Sequence, residues 1–221
     1  MGVVVITGAN RGIGLELARQ LAGRGASVVA ICRKSSPELD AVAGVRVESG
    51  IDVTTDAGIA ELPKRVGDES IDVLLNNAGL LEVDALGNIS ADSIRRQFEV
   101  NSLAPVRVTA ALQSKLKQGS KVAVVSSRMG SVADNTSGRM YGYRMSKAAA
   151  NAAGKSLAQE LKSDGVAVVI LHPGYVKTEM TGGNGDIGPD VAAKGLIARI
   201  DELSLETTGR FMHANGEELP W

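Results

Sequence analysis

Short runs of branched aliphatic residues alternate along this chain with stretches whose apolar positions recur every three or four residues. Val3 to Thr7 is the first such run. It stops at a glycine-rich turn, after which Leu15, Leu17, Ala18, Leu21 and Ala22 return at helical spacing, so the opening predicts strand, turn and helix. Ser27 to Ile31 and Val45 to Glu48 predict the second and third strands, Asp56 to Val66 a short helix, and Ile71 to Leu75 the fourth strand. These strands read as continuous Val, Ile and Leu rather than as apolar-polar alternation. That pattern belongs to a parallel sheet covered on both faces and joined by right-handed crossovers.

A longer helical pattern runs from about Ala91 to Lys117 and is interrupted by Pro105. Proline lacks the backbone donor, so a kink is expected just upstream, in the turn that holds Asn101. Lys121 to Ser126 reads as the fifth strand, Tyr141 to Ser163 as a helix and Val166 to Leu171 as the sixth strand. A polar, glycine-rich segment, Thr181 to Gly188, separates these from a helix near Asp190 to Leu203 and a last strand around Gly209 to His213. Neither an internal repeat nor a linker divides the chain, so the expectation is one α/β domain over residues 1–221.

Composition narrows the function classes. With 24 basic and 25 acidic residues the net charge is −1, which gives no field to attract nucleic acid or an anionic membrane and leaves small-molecule chemistry. The lone Cys32 excludes an intrachain disulfide framework and a thiolate metal cluster, which fits a reducing cytoplasm. Met1 and Gly2 lead straight into the first strand, and no apolar run is long enough for a signal peptide or a membrane span, so a soluble cytoplasmic protein is expected. Aromatics make up only 3% of the chain and glycines number 26, so the core must be aliphatic and many turns tight.

Several constellations carry possible chemistry. In the predicted helix, Tyr143 and Lys147 lie one turn apart on one face, about 6 Å along the axis. A phenol ordinarily titrates near about pH 10, and a neighbouring ammonium would stabilise its anion, although a Tyr-Lys pair at this spacing also occurs on plain solvated helix faces. Thr7-Gly8-Ala9-Asn10-Arg11-Gly12-Ile13-Gly14 joins the first strand to the first helix, where glycines let backbone approach a pyrophosphate and the helix N-terminus favours its charge. Its spacing differs from G-x-G-x-x-G, and glycines there also serve simply to permit positive φ. The second strand ends in Cys32-Arg33-Lys34, with Arg33 standing 19 positions beyond Gly14. An arginine there accommodates a 2′-phosphate and Arg11 adds a second cation, which favours NADP over NAD; a solvated basic turn is the alternative. Asn76-Asn77-Ala78-Gly79 after the fourth strand and Ser126-Ser127 after the fifth fall on the edge where such sheets bind ligands, though turn formation and capping would explain them too. His172 and His213 lack the partners of a catalytic triad or a metal site and read as structural.

In this order the residues resemble the short-chain dehydrogenase/reductase family over nearly the whole chain. Thr7 to Gly14 is similar to its T-G-x-x-x-G-x-G motif, Asn76 to Gly79 to its N-N-A-G motif and Tyr143 to Lys147 to its Y-x-x-x-K motif, with Asn101, Ser127 and Pro173-Gly174 at matching stations. The stretches Ser126 to Ser131, Tyr143 to Asn151 and His172 to Thr178, with the closing Leu219-Pro220-Trp221, resemble the C-factor and sniffer-type carbonyl reductase subgroup. Two features depart from the common family pattern. Ser127 and Tyr143 are 16 positions apart, a few more than is usual in the family, and the segment after Thr178 is short.

The resemblance implies a Rossmann-type doubly wound sheet of about seven strands and an NADP(H)-dependent reduction of a ketone or aldehyde, or the reverse, with NAD(H) also possible. It gives Tyr143 the role of acid and base, Ser127 that of holding the substrate oxygen, Lys147 that of lowering the phenol pKa and holding the ribose, and Asn101 that of anchoring a water. Cofactor contacts are implied for Gly8, Asn10, Arg11, Gly12, Ile13, Gly14, Arg33, Asp52, Val53, Asn77, Ala78, Gly79, Tyr143, Lys147, Pro173, Gly174, Val176 and Thr178, with no metal. A homodimer built on the two long helices is implied, with Ala148, Ala149, Ala152 and Ala153 facing either the partner or the sheet. A signalling or regulatory protein of C-factor type, binding NAD(P), is the second class. The Thr181 to Asp186 stretch has little apolar surface, which leads us to expect an open and permissive substrate site.

Overall fold

A computed structural model describes residues 2–221. Seven parallel strands form one sheet in the order β3-β2-β1-β4-β5-β6-β7. They are β1 (Val3–Thr7), β2 (Ser27–Ile31), β3 (Val45–Glu48), β4 (Ile71–Asn76), β5 (Leu116–Val125), β6 (Ala167–His172) and β7 (Arg210–His213). The helices are α1 (Gly12–Gly23), α2 (Pro37–Asp40), α3 (Asp56–Val66), α4 (Ala91–Phe98), α5 (Ala104–Leu112), α6 (Tyr141–Glu160) and α7 (Pro189–Glu202). Strand order reverses between β1 and β4, and an open parallel sheet binds its ligand beyond the carboxyl ends at such a point.

Alternation along each strand divides the core into two. Val4 and Ile6 of β1 and Val169 and Leu171 of β6 face one side, with Leu17 and Leu21 of α1 and Leu196 and Ile200 of α7. Val3 and Val5 of β1 and Val168 of β6 face the other, with Leu62 of α3, Val108 of α5 and Leu157 of α6. Both faces of the central strands are therefore dry, which is why their sequences carry no polar alternation.

The long helical pattern divides as expected around Pro105, and the break takes a defined form. Residues Glu99–Leu103 make a π-helical turn between α4 and α5. Asn101 sits within it and is 1% exposed. A wider turn is one way for a helix to absorb a local irregularity, and such turns are common at functional sites. The pattern ends at Leu112 rather than Lys117, and β5 begins five residues before the expected Lys121. There Ser120 donates to the Ile71 carbonyl at 2.6 Å and accepts from the Lys117 amide at 2.9 Å, which draws this polar stretch alongside β4. The Thr181 to Gly188 segment is held by its own backbone. Lys177 N–H donates to the Ile187 carbonyl at 2.9 Å, Asp186 N–H to Tyr175 at 2.8 Å and Gly183 N–H to Thr178 at 2.8 Å. No helix among the described residues is long and apolar enough to cross a membrane.

Candidate active site at the carboxyl edge of the sheet

The β1-α1 turn lies at the strand-order reversal. Thr7 accepts the Asn77 and Ala78 amides on its hydroxyl, both at 3.1 Å, and so stitches the ends of β1 and β4 together. The Asn77 side-chain amide donates to the carbonyls of Thr7 at 3.1 Å and Gly8 at 3.0 Å, so this side chain shapes the turn. Gly8 and Gly12 have φ of +67° and +54°, a region where side chains are strained. At Gly14 the constraint is space, because a Cβ there would lie 2.2 Å from the Gly8 carbonyl oxygen. The first turn of α1 has neither a side-chain cap nor an acidic residue. Its amides and positive dipole end are thus left for an anion, and the residues present fit a dinucleotide pyrophosphate.

The other expected cofactor residues line the same edge. Arg33 lies two residues past the end of β2, with its side chain 75% exposed and 4.0 Å from Asp52. Partial burial pushes the Asp52 carboxyl up, but hydrogen bonds from the Thr54 amide and hydroxyl, with the Arg33 charge, outweigh it and hold the group below the usual carboxylate range. Val53 is buried beside Asn76 and Ala78. Arg11 is exposed and paired with Glu179, while the Asn10 carbonyl accepts the Ser36 hydroxyl at 2.7 Å. The segment after β6 approaches the same groove. The Thr178 methyl lies 3.3 Å from where a Gly12 Cβ would stand, and the Met180 methyl 3.6 Å from the equivalent point at Gly79. Pro173 and Val176 are buried at its base, and Gly174 turns there at φ +95°. Met180, 43% exposed, brings apolar surface to this edge that the glycine-rich stretch itself lacks.

Tyr143, Lys147 and Ser127 come together despite the long connection. Tyr143 is 8% exposed, Lys147 3% and Ser127 7%. Burial pushes the phenol up to about 12, against a smaller opposing pull from the neighbouring Ser127 side chain. Burial also pushes the Lys147 ammonium down to about 8. Lys147 Nζ donates to the Val125 carbonyl at 2.8 Å and stands 5.8 Å from the centre of the Tyr143 ring. The connection returns because residues Arg128–Gly130 form a 3-10 turn packed directly on α6. A Cβ at Gly130 would lie 2.6 Å from the Lys147 carbonyl carbon, so only glycine permits this approach.

Asn101 is near, with its side chain already committed. Its Oδ1 accepts from Leu80 N–H at 2.8 Å, and its Nδ2 donates to the Leu80 carbonyl at 2.8 Å and to Ser146 Oγ at 2.9 Å. The expected water contact would therefore fall to its backbone carbonyl. His172 and His213 pack edge to face at 4.8 Å, and burial, with the charges of its neighbours, pushes His172 down to about 3, so it is neutral near pH 7. Asn151, to which the sequence assigned no role, accepts a 2.6 Å hydrogen bond from Ser126 and ties the end of β5 to α6 one turn below Lys147. Asn151 lies four residues past Lys147, so helical spacing was the available signal.

A glycine-cradled turn at the reversal of a doubly wound sheet, with a buried Tyr-Lys-Ser cluster beside it, defines a dinucleotide-dependent oxidoreductase. The chain belongs to the short chain dehydrogenase family, whose profile matches residues 2–186. It is 44% identical over the full length of both chains to 1-hydroxy-2-glutathionyl-2-methyl-3-butene dehydrogenase of Rhodococcus sp. strain AD45. It is also 44% identical to the C-signal protein of Myxococcus xanthus, over 68% of this chain and 93% of that one. Among solved structures, the carbonyl reductase Sniffer of D. melanogaster superposes with a TM-score of 0.90 at 27% identity, covering all of both chains. A carbonyl reductase of Pseudomonas aeruginosa PAO1 in complex with NADP superposes with a TM-score of 0.84 at 32% identity, again over all of both chains.

Replacing Gly130 by alanine should force the 3-10 turn off α6 and cost about 1–3 kcal/mol of stability. Urea denaturation tests this: a variant within about 0.5 kcal/mol of the parent would show that the close approach is not a constraint.

Proposed function

We propose that the chain reduces the carbonyl of a small ketone or aldehyde with NADPH, or runs the reverse reaction, with Tyr143 as the proton donor and acceptor. The observation that carries this reading is the burial of the Tyr143 phenol together with Ser127 and Lys147, whose ammonium stands 5.8 Å from the centre of the ring. NADPH, when bound, supplies the hydride. Gly8, Asn10, Gly12, Ile13 and Gly14 would cradle the pyrophosphate, Arg11 and Arg33 the 2′-phosphate, and Asp52 and Val53 the adenine, with Asn77, Ala78 and Gly79 forming the adjoining wall. Pro173, Gly174, Val176 and Thr178 would hold the nicotinamide end. Ser127 orients the substrate oxygen, and Tyr143 delivers its proton to that oxygen as negative charge develops there. Lys147 stabilises the phenolate left behind and holds the ribose.

The two long helices also support a homodimer. Ala152 is exposed and Ala148, Ala149 and Ala153 are half-buried on the outer face of α6, whereas Ala150 and Gly154 face the sheet. The small residues are therefore available to a partner, with Phe98 and Leu103 exposed on the neighbouring helical segment. The similarity to C-signal supports a second reading, a nucleotide-binding signalling protein, which predicts NADPH binding without turnover.

Tyr143→Phe removes the transferable proton and little volume. Carbonyl reduction, followed by NADPH absorbance on a panel of aldehydes, ketones and quinones, should fall at least about 100-fold, and retention of parental rate would sink the proton-donor role. The same panel run backwards should include a glutathione-conjugated alcohol, the substrate type named for the Rhodococcus relative.

Lys147 sets the pH dependence. Its ammonium is charged below about 8 and neutral above it, and the charged form is the one that stabilises a phenolate. Reduction kcat/KM should be level near neutral pH and decline as pH rises through about 8; a rate that climbs through this range would exclude the assignment.

Arg33→Asp should move cofactor preference from NADPH toward NADH by repelling the 2′-phosphate and accepting a ribose hydroxyl. An unchanged ratio of kcat/KM for the two cofactors would show that Arg33 does not read the phosphate.

A further inference from the structure

Helix α6 carries Tyr143 in its first turn, yet its N-cap residue, Met140, provides no side-chain cap. That residue is left-handed at φ 56° and ψ 42°, and Gly138 and Arg139 are also left-handed. The orphan amides of the first turn are met from elsewhere. The carboxylate of Asp84 accepts from Tyr141 N–H through one oxygen and from Gly142 N–H at 2.8 Å through the other, while its own carbonyl accepts from Met140 N–H at 3.1 Å. Asp84 is 4% exposed. No basic side chain among the described residues pairs with it, so the helix amides and dipole compensate its charge.

Asp84 is itself held in register by a ladder of side-chain amides. Leu80 exchanges both of its backbone hydrogen bonds with the Asn101 amide, and Glu82 does the same with the Gln97 amide, at 3.1 and 3.3 Å. Residues 80, 82 and 84 follow one another at alternate positions of the loop, and Gln97 and Asn101 are four apart on the buried face of the helical segment opposite. Gln97 is fully buried. Gly142 admits the arrangement, since a Cβ there would stand 2.6 Å from the Gln97 amide nitrogen and 3.0 Å from Asp84. On the outer side, Arg144 donates to the carbonyls of Gly138 and Arg139 at 3.2 Å and to the Ser137 hydroxyl at 2.8 Å, bracing the left-handed turn.

We infer that Asp84 is a positioning residue for the reaction: a cap delivered to the catalytic helix by the loop that follows Asn76-Asn77-Ala78-Gly79, fixing the height of Tyr143 relative to the cofactor edge. This rests on Tyr143 as proton donor. The same loop ends the wall of the groove at Gly79 and reaches α6 at Tyr141, so one hydrogen-bonded segment registers groove and proton donor against each other. Proton transfer depends steeply on such placement, whereas cofactor binding draws on contacts spread over the groove.

The test uses the full-length chain with Asp84→Ala, Asp84→Asn and Tyr143→Phe side by side. For Asp84→Ala we expect kcat to fall between about 10- and 100-fold with the NADPH Kd, read by fluorescence, within about twofold. Amide hydrogen exchange should quicken in the peptide spanning residues 141–147 and not in the sheet. Asparagine retains one acceptor and should recover part of both losses. Parental kcat and exchange in Asp84→Ala, or kcat and NADPH affinity lost together with global stability, would overturn the inference. If the alanine variant does not fold, Asp84→Asn decides by the same split between kcat and Kd. If Tyr143→Phe keeps parental activity, or the parent reduces nothing, the reductase reading fails, and the exchange of the first turn alone then shows whether Asp84 caps it.

Discussion

Burying a phenol and an ammonium together is the constraint around which this molecule is arranged. Each group alone resists burial in its charged form: the phenol is pushed up to about 12 and the ammonium down to about 8. The shifts have complementary consequences. At neutral pH the tyrosine holds its proton and the lysine still carries charge, so in the proposed reading the pair is loaded as an acid with its countercharge beside it. The low dielectric that makes the pair costly also strengthens the attraction felt once the phenol ionises. Lys147 is not free to lean toward the ring, because it donates to the Val125 carbonyl at the end of β5. Its charge is thereby tied to the sheet and to the position of Ser127 two residues further on.

Such a pair is useful only if its helix is fixed against the strands, and α6 is fixed on three sides. Gly154 lets it settle on Ile170 of β6, where a Cβ would stand 2.5 Å from the Ile170 side chain. Ser126 holds it through Asn151, and the Arg128–Gly130 turn lies on its backbone at Lys147. At its first turn, where the chain enters in a left-handed conformation, the helix is held by the Asp84 carboxylate. Two glycines and a handful of buried polar bonds therefore do what a larger apolar interface does elsewhere, in keeping with a core that has few aromatics.

Much of this was legible in the sequence, for identifiable reasons. β1, β2, β3 and α3 fall on the residues that their apolar runs indicate, because strands buried on both faces have no competing polar pattern. The Tyr143-Lys147 spacing and the strand-end serines marked the candidate site because helical period and sheet polarity place them without knowledge of the loops. What stayed hidden is long-range and polar. Asp84 meets Tyr141 from 57 positions away, and Gln97 meets Glu82 across 15, with no periodicity to announce either bond. The end of the long helix at Leu112 was misplaced because Ser120 bonds to Ile71, a contact that local propensity does not contain. The 16-residue gap from Ser127 to Tyr143 read as a loose connection, and only the missing Cβ of Gly130 explains how it closes.

The two arginines at the cofactor edge differ in kind from this buried machinery. Arg11 pairs with Glu179 and Arg33 lies 4.0 Å from Asp52, and all four side chains are more than a third exposed. Exposed pairs of this sort contribute between about 0 and 1 kcal/mol, and salt screens them. Exchanging a carboxylate for a doubly charged phosphate thus costs each arginine little, while the new contact gains charge. On the proposed function, the edge that would read the cofactor is soft and the interior that would handle the proton is rigid, which follows from what each would have to do. In that reading a phosphate has to arrive and leave on every cycle, whereas the phenol must stand in one place throughout.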